Sequence, residues 1–422
     1  MSRVSTPVRN ALAYAVPELF WGMAWGATLE GPLIAAFSTA FGGGEAFVGT
    51  VALLTMVGIG LPMFFSAYWV ESFQHKRAFV FWGHIVGGAV FFAVALLLVL
   101  AGPTHPGVVR VAYAVGLTLF FLSVGFLIPG WMALVGELFP PHAQPRVLGA
   151  TFFANRIGAL CGGALAFSIL DRPWSALDQW TLLFVVAGVL GVVGSLPFLW
   201  IVETPRERPP RPRFPVYLRS LVQAFRDLPA LRKFILADVI AVTSMITLSF
   251  YARAAIARDG FHEAYAGRWV MVGAVAQMVM SASIALAGER VRPRVWLAVG
   301  VALAGVGAVS AAEGGAAWTH AATAACLGLW IAARNSCHAP QVMRLAPGRD
   351  GTAPIGIAAG IAQPASGVAP FLAGLLIPWL GYGPIFWAVA GFALLAAFLL
   401  LRWIPRGSAW PSPAQHTDVN DG

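Results

Sequence analysis

Residues 203–213 read Glu203-Thr-Pro-Arg-Glu-Arg-Pro-Pro-Arg-Pro-Arg213 and interrupt a chain that is otherwise a succession of apolar blocks. The prolines remove backbone donors and forbid a continuous helix, so this stretch is a linker. Working outward, six blocks precede it, near 12–36, 46–70, 78–101, 110–137, 147–170 and 179–202. Six follow, near 233–257, 265–287, 295–313, 317–343, 352–378 and 384–403. Each is about twenty residues or longer, enough to cross a ~30 Å hydrocarbon core as a helix. The expectation is an all-α membrane protein of twelve transmembrane helices in two halves of six.

Composition agrees. Hydrophobic residues make up 59% of the chain and charged ones 11%, with a mean hydropathy of +0.76, whereas a soluble domain carries roughly 25% charged residues. The net charge of +9 does not point to nucleic acid, because the basic residues cluster at block ends instead of forming one solvated face. Assigning alternate connections to the two sides gathers twenty of the 27 basic residues on one side, including Lys76, Arg77, Arg146, the arginines of 206–232, Arg290 and Arg402. The other side receives Arg110, Arg172, Arg253, Arg258 and Arg268. The positive-inside rule then places both termini and the linker in the cytoplasm of a multi-pass protein of the cell, or inner, membrane.

A short basic leader, Arg3 and Arg9, precedes the first block, but that block runs to about Phe37, too long for a secretory signal core, and reads as a retained helix. Cys161, Cys326 and Cys337 fall inside apolar blocks at spacings that match neither a metal site nor a disulfide framework, and no cofactor is expected. The domains expected are a first bundle over 1–202, a linker over 203–232, a second bundle over 233–403 and a polar cytoplasmic tail over 404–422. Within the linker, Leu218, Leu221, Val222, Phe225 and Leu228 recur at helical spacing opposite Arg219, Gln223 and Arg226. They form an amphipathic surface helix, or the segment is simply solvated.

The halves carry a faint repeat. One fixed shift matches Leu138 and Pro140 with Leu345 and Pro347, Gly149 with Gly356, and Arg156 with Gln363. Glu18 and Asp238 occupy comparable depths in the first and seventh blocks. The connections after the second and eighth blocks read Ala67-Tyr-Trp-Val-Glu71-Ser-Phe-Gln-His-Lys76-Arg77 and Ala285-Leu-Ala-Gly-Glu289-Arg290-Val-Arg-Pro-Arg294.

Both connections resemble the loop signature of the major facilitator superfamily, a Gly followed four residues later by Asp-Arg and then by Gly and basic residues. Glu71 and Glu289 stand at the acidic position, with Lys76, Arg77 and Arg294 in the basic tail. Ala67 and Ala285 replace the first Gly, Ser72 replaces the first loop's Arg, and Gln74 and Arg292 replace the later Gly. The resemblance spans the whole chain in block count and loop lengths. It implies two six-helix bundles rocking by alternating access about a central site, with Glu71 and Glu289 as gating residues. Gly158-Ala-Leu-Cys-Gly162-Gly163 is similar to a Gly-Pro-x-x-Gly-Gly element of antiporters in that family, but Ala159 stands where Pro belongs, and small residues in a membrane helix mark close packing.

A charge at membrane depth costs roughly 2.5–3.5 kcal/mol on insertion scales, so such residues face a cavity or a partner. Arg156 beside Asn155 and Arg334 beside Asn335 lie near the middle of the fifth and tenth blocks, and Glu30 lies in the outer half of the first. Gln277 and Gln363 are deep, and Thr247 and Tyr251 share a face with Ser244, as Trp25 does with Trp21. In the resembling family, spans one, four, seven and ten line the cavity. Arg156 and Arg334 bind an anionic or hydroxyl-rich solute through their planar forks, or each pairs with Glu30, a carbonyl or a helix end. Glu30 is the leading proton-coupling residue, with His338 the other, and a fixed Glu30–Arg156 ion pair is the rival reading. Glu18, Asp238 and Glu137 are expected to reach cytoplasmic water.

No His-Glu-x-x-His, Gly-x-Ser-x-Gly or phosphate-binding loop occurs, which argues against an enzyme or an ATP-driven pump. The expected function is secondary active transport of a small organic solute, proton-coupled, by a monomer in the lipid bilayer. Proton-driven multidrug efflux and a non-transporting receptor or assembly factor remain alternatives.

Overall fold

The computed structural model describes residues 5–70, 73–101, 105–140, 143–204, 213–346 and 352–404. The first half comprises α1 (Thr6–Thr28), α2 (Gly31–Ala40), α3 (Glu45–Val70), α4 (Lys76–Ala101), α5 (Pro106–Leu138), α6 (Gln144–Leu170) and α7 (Ala176–Ser195). After the linker come α8 (Phe214–Asp227), α9 (Pro229–Ala241), α10 (Met245–Ala257), α11 (Tyr265–Ala287), α12 (Pro293–Glu313), α13 (Ala317–Leu345), α14 (Thr352–Leu380) and α15 (Tyr382–Arg402). Among the described residues, ten helical stretches, from Glu45–Val70 to Tyr382–Arg402, are long and apolar enough to cross a membrane. Their outward faces are apolar: Leu286 is 84% exposed and Trp379 86%, which only a lipid surrounding tolerates over so wide an area.

Two expected spans fall outside the ten, for different physical reasons. The first is not one helix. It breaks between α1 and α2, where Glu30 takes an extended conformation (ψ 146°) ahead of Gly31-Pro32, because the residues before a proline disfavour helical geometry and the ring lacks an N–H. The tenth, α13, is continuous, but His320, Arg334, Asn335, His338 and Gln341 dilute its hydropathy. The seventh block, the counterpart of the first, is also interrupted: a 3-10 turn over Val242–Ser244 separates α9 from α10.

Within the first half, α1 lies along α6. A Cβ on Gly22, Gly26, Gly158 or Gly162 would strike the facing backbone of Asn155, Ala159, Leu19 or Met23, so this seam admits glycine only. Between the halves, α3 packs on α14, α6 on α11 and α2 on α10. Gly163 meets Gly267, and Gly49 meets Pro370 and Phe371, at the end of the molecule away from the linker. The amphipathic linker helix is present as α8. It sets Phe214 and Tyr217 against Tyr68 of α3, with ring centroids 5.1 and 5.6 Å apart, and packs Phe225 and Leu228 against the second-half core.

Candidate functional site

Arg156 projects from the middle of α6 into the seam between the halves. Its Nη1 donates to Gln277 Oε1 on α11 at 2.9 Å and lies 3.4 Å from Glu30 Oε1 at the α1–α2 break. Its Nε and Nη2 both donate to Asn155 Oδ1, at 3.1 and 2.5 Å. Asn155 in turn donates from Nδ2 to Glu18 Oε2 at 3.0 Å, and Glu18 Oε1 lies 4.0 Å from His84 Nε2 on α4. A single polar chain therefore runs from His84 through Glu18, Asn155 and Arg156 to Glu30 and, across the seam, to Gln277.

Beside Glu30 and Gln277, Tyr251, Trp269 and Gly328 help enclose a cavity of about 20 Å³, room for about one water and no solute. Tyr251 and Thr247, on one face with Ser244, are buried, and the Thr247 and Ser244 hydroxyls have no hydrogen-bond partner among the described residues. Trp25 stands edge-on to Phe120 and Phe121 of α5, with centroids 5.9 and 5.3 Å away.

Arg334 belongs to a different group. Its Nη2 donates to Asp238 Oδ2 at 2.9 Å, and His338 Nε2 donates to the same oxygen at 3.0 Å. Among the described residues the two arginines share no hydrogen-bond partner. Asn335 is exposed, and Gln363 lies on the α3–α14 seam against Gly60, so neither joins the Arg156 group. Glu71 lies outside the described residues, as does the side chain of Glu289.

Three expectations need correction. Asp238 does not reach water but is buried between Arg334 and His338. Glu18, 14% exposed, turns its carboxylate to the Asn155 amide and toward His84 and not into open water. Glu137, at the end of α5, pairs with the buried Lys76. In each case a basic or amide group from a distant block supplies the partner, which hydropathy cannot anticipate.

Sequence reading also missed the break at Glu30, for which Gly31-Pro32 is the signal, and His84, which carries none. It missed a cluster at the end away from the linker as well. There Glu45 of α3 lies 3.4 Å from Arg253 Nε of α10 and accepts from Tyr382 of α15 at 2.7 Å, and Arg253 also donates to Thr39 of α2. These contacts tie the first half to the second at the end away from the linker.

The sequence model of the Major Facilitator Superfamily matches residues 19–255. No curated protein matches the chain. Among solved structures, a mutant of the nucleoside transporter NupG superposes with a TM-score of 0.73 at 10% identity, over 93% of this chain and 98% of that one. A D-xylose-proton symporter gives 0.70 at 12% identity, over 96% and 100%. The xylose transporter XylE from E. coli, in a partially occluded inward open conformation, gives 0.69 at 13%, again over 96% and 100%. At such identities the likeness is one of fold, and with the family match it points to a transporter rather than an enzyme. The chain is a multi-pass membrane protein that belongs to the Major Facilitator Superfamily.

Proposed function

We propose that the protein is a twelve-span, proton-coupled secondary transporter of a small anionic or hydroxyl-rich organic solute, working by alternating access between bundles 1–202 and 233–403. The observation that carries this reading is the position of Arg156: a half-buried fork, held by the first half through Asn155 and Glu30, that also reaches Gln277 of the second half. A solute entering the seam competes with Glu30 and Gln277 for the guanidinium. Release of Glu30 from its cation favours its protonation, which links solute binding to a proton. Tyr251, Thr247 and Trp25 line the approach, while Arg334, Asn335 and Gln363 lie on the seam-facing helices of the other half. His338 is the second coupling candidate, weaker because it already donates to Asp238.

The outer cluster of Glu45, Arg253, Thr39 and Tyr382 supports a state closed on the outside, with Glu71 and Glu289 gating the cytoplasmic side. Both termini are assigned to the cytoplasm of the cell membrane, and the working unit is a monomer. The test is flux into proteoliposomes across a panel of organic anions, sugars and nucleosides, with and without a pH gradient. Gradient-driven accumulation is expected, and Glu30→Gln should abolish it. A Glu30→Gln variant that concentrates solute with the parent's pH dependence removes Glu30 from coupling. Absence of flux for every solute favours the receptor reading.

A further inference from the structure

His84 sits on α4 with its Nδ1 2.7 Å from the carbonyl oxygen of Val80. A carbonyl only accepts, so Nδ1 carries the hydrogen and Nε2 is the atom left to gain or lose a proton. That Nε2 points at Glu18 Oε1, 4.0 Å away. A neutral Nε2 and an ionised carboxylate are both acceptors and repel, whereas one added proton makes the contact attractive, and a closure of about 1 Å completes a charge-assisted hydrogen bond.

The surroundings isolate the pair. The rings of Trp21 and Phe198 pack on His84 with centroids 5.3 and 4.6 Å away. Tyr14, one turn before Glu18 on α1, donates its hydroxyl to the Trp131 carbonyl of α5 at 2.8 Å. From the last turns of the first half, Ser195 takes the Trp21 indole N–H and Phe198 offers only a ring. From α6, Asn155 contacts Glu18 directly and Arg156 acts through it. Among the described residues, Arg156 and Tyr14 are thus the remaining charged or titratable groups near the pair, and neither bonds to it.

We propose that Glu18 and His84 bind one proton between them and that Asn155 transmits its presence to the Arg156 fork. Glu18 lies within α1 and Glu30 twelve residues on, at the α1–α2 break, and Arg156 contacts Glu30 directly and Glu18 through Asn155. The pair is therefore a second protonation site, on the linker side of the arginine. While Glu18 is charged it orients the Asn155 amide, so that Oδ1 faces Arg156 and holds two of its N–H groups. Protonation of the pair weakens that orientation and frees donors on the fork for solute. This inference rests on the transport reading for its consequence, but not for the proton site itself.

The first test therefore needs no solute. The full chain, labelled with ¹⁵N-histidine and solubilised in detergent, is titrated by NMR, with His84→Asn used to assign the signal. The expected result is an Nδ1–H tautomer whose titration midpoint moves by about one pH unit or more in Glu18→Gln, a tenfold change in proton affinity, and stays in place in Glu30→Gln. An Nε2–H tautomer, or a midpoint unmoved in Glu18→Gln, overturns the proposal. Should Glu18→Gln fail to fold, pH-difference infrared spectra of the parent and of His84→Asn decide. A carboxyl band that changes over the His84 range in the parent, and shifts in the variant, supports a shared proton, and an unshifted band refutes it. In proteoliposomes, Asn155→Leu should lower gradient-driven uptake tenfold or more. A moved titration without flux for any solute breaks the transport reading alone, and gradient-driven flux with an unmoved titration breaks this inference alone.

Discussion

In the second half, Arg334, Asp238 and His338 close on themselves: one carboxylate oxygen receives both bases, and every member comes from α9 or α13. In the first half, Arg156 sits in an open chain, with a carboxylate toward each end and a neutral glutamine from the other half as its shortest contact outside α6. Both arrangements offset the cost of an arginine at membrane depth. They differ in what a rearrangement would cost. Opening the Asp238 group leaves a buried guanidinium without a counter-charge, whereas Arg156 can exchange one acceptor for another. The comparison assigns a structural task to the second-half group and a moving one to the first.

The largest expected effect tests the structural task. Asp238→Asn removes the counter-charge of Arg334, whose Nε is already buried without a partner among the described residues, and breaking such a pair costs about 3–5 kcal/mol. The folded yield and thermal midpoint in detergent should fall well below those of Glu18→Gln. The double variant Asp238→Leu with Arg334→Leu should recover most of the loss. Equal losses in Asp238→Asn and Glu18→Gln would erase the distinction between the two groups.

Next comes the seam that positions Asn155. A Cβ on Gly22 would land on the Asn155 carbonyl, so Gly22→Ala forces α1 and α6 apart. Overpacking of this kind costs about 1–3 kcal/mol. Transport should fall along with stability, since the same shift separates Asn155 from Glu18. A Gly22→Ala protein with the parent's melting temperature and flux shows that the seam has slack and that Asn155 is not held by it.

A smaller effect is expected from exchanging the arginines. Arg156→Lys keeps the charge but loses the fork that holds Asn155, Glu30 and Gln277 together, and flux should drop about tenfold, or ~1.4 kcal/mol. Arg334→Lys retains a single bond to Asp238 and should change flux less. Initial rates at matched protein density decide, and the reverse order would transfer the moving task to the second half.

Much of this was legible in the sequence because the bilayer imposes it. Span ends follow hydropathy, so most helix limits agree with the expected blocks to within a few residues. The five basic residues expected on the outer side are all engaged: Arg110 on the Phe41 and Gly42 carbonyls, Arg172 and Arg268 on aromatic rings, Arg253 with Glu45, and Arg258 with Asp259. The site was legible residue by residue and not as a connected group. Depth singled out Arg156, Asn155, Glu30 and Gln277, because a polar group in hydrocarbon demands a partner. Which partner depends on helix rotation and on glycine seams such as Gly22–Asn155, and no hydropathy pattern encodes those. For the same reason Asp238 and Arg334 were found separately and His84 was missed.

The smallest expected effect protects the comparison from a false reading of pH. Two acidic groups, Asp259 and Glu263, lie in the connection between α10 and α11, outside the helices long enough to span a membrane. Burial lifts the Glu263 carboxyl, and Arg253 offsets only part of the rise, leaving it pushed up to about 7. Burial also acts on Asp259, but hydrogen bonds from Arg258, the Gly315 N–H and His320 outweigh it and hold that carboxyl down to about 2. The signs are opposite. Asp259 adds stability that is present above its ordinary value near 3.8 and is lost as the pH falls toward 2, so it is silent between pH 5 and 8. Glu263 adds stability that is complete below its ordinary value near 4.5 and is lost as the pH rises through 7. The parent's thermal midpoint should therefore decline from pH 5 to 8, and Glu263→Gln should flatten that decline by an amount on the order of 1 kcal/mol, since the group is only part-buried. Melting curves in detergent at matched ionic strength measure it. A slope that persists in Glu263→Gln comes from other titrating groups, and repeating the series in Glu18→Gln, His84→Asn and Glu30→Gln shows whether either end of the open chain is among them.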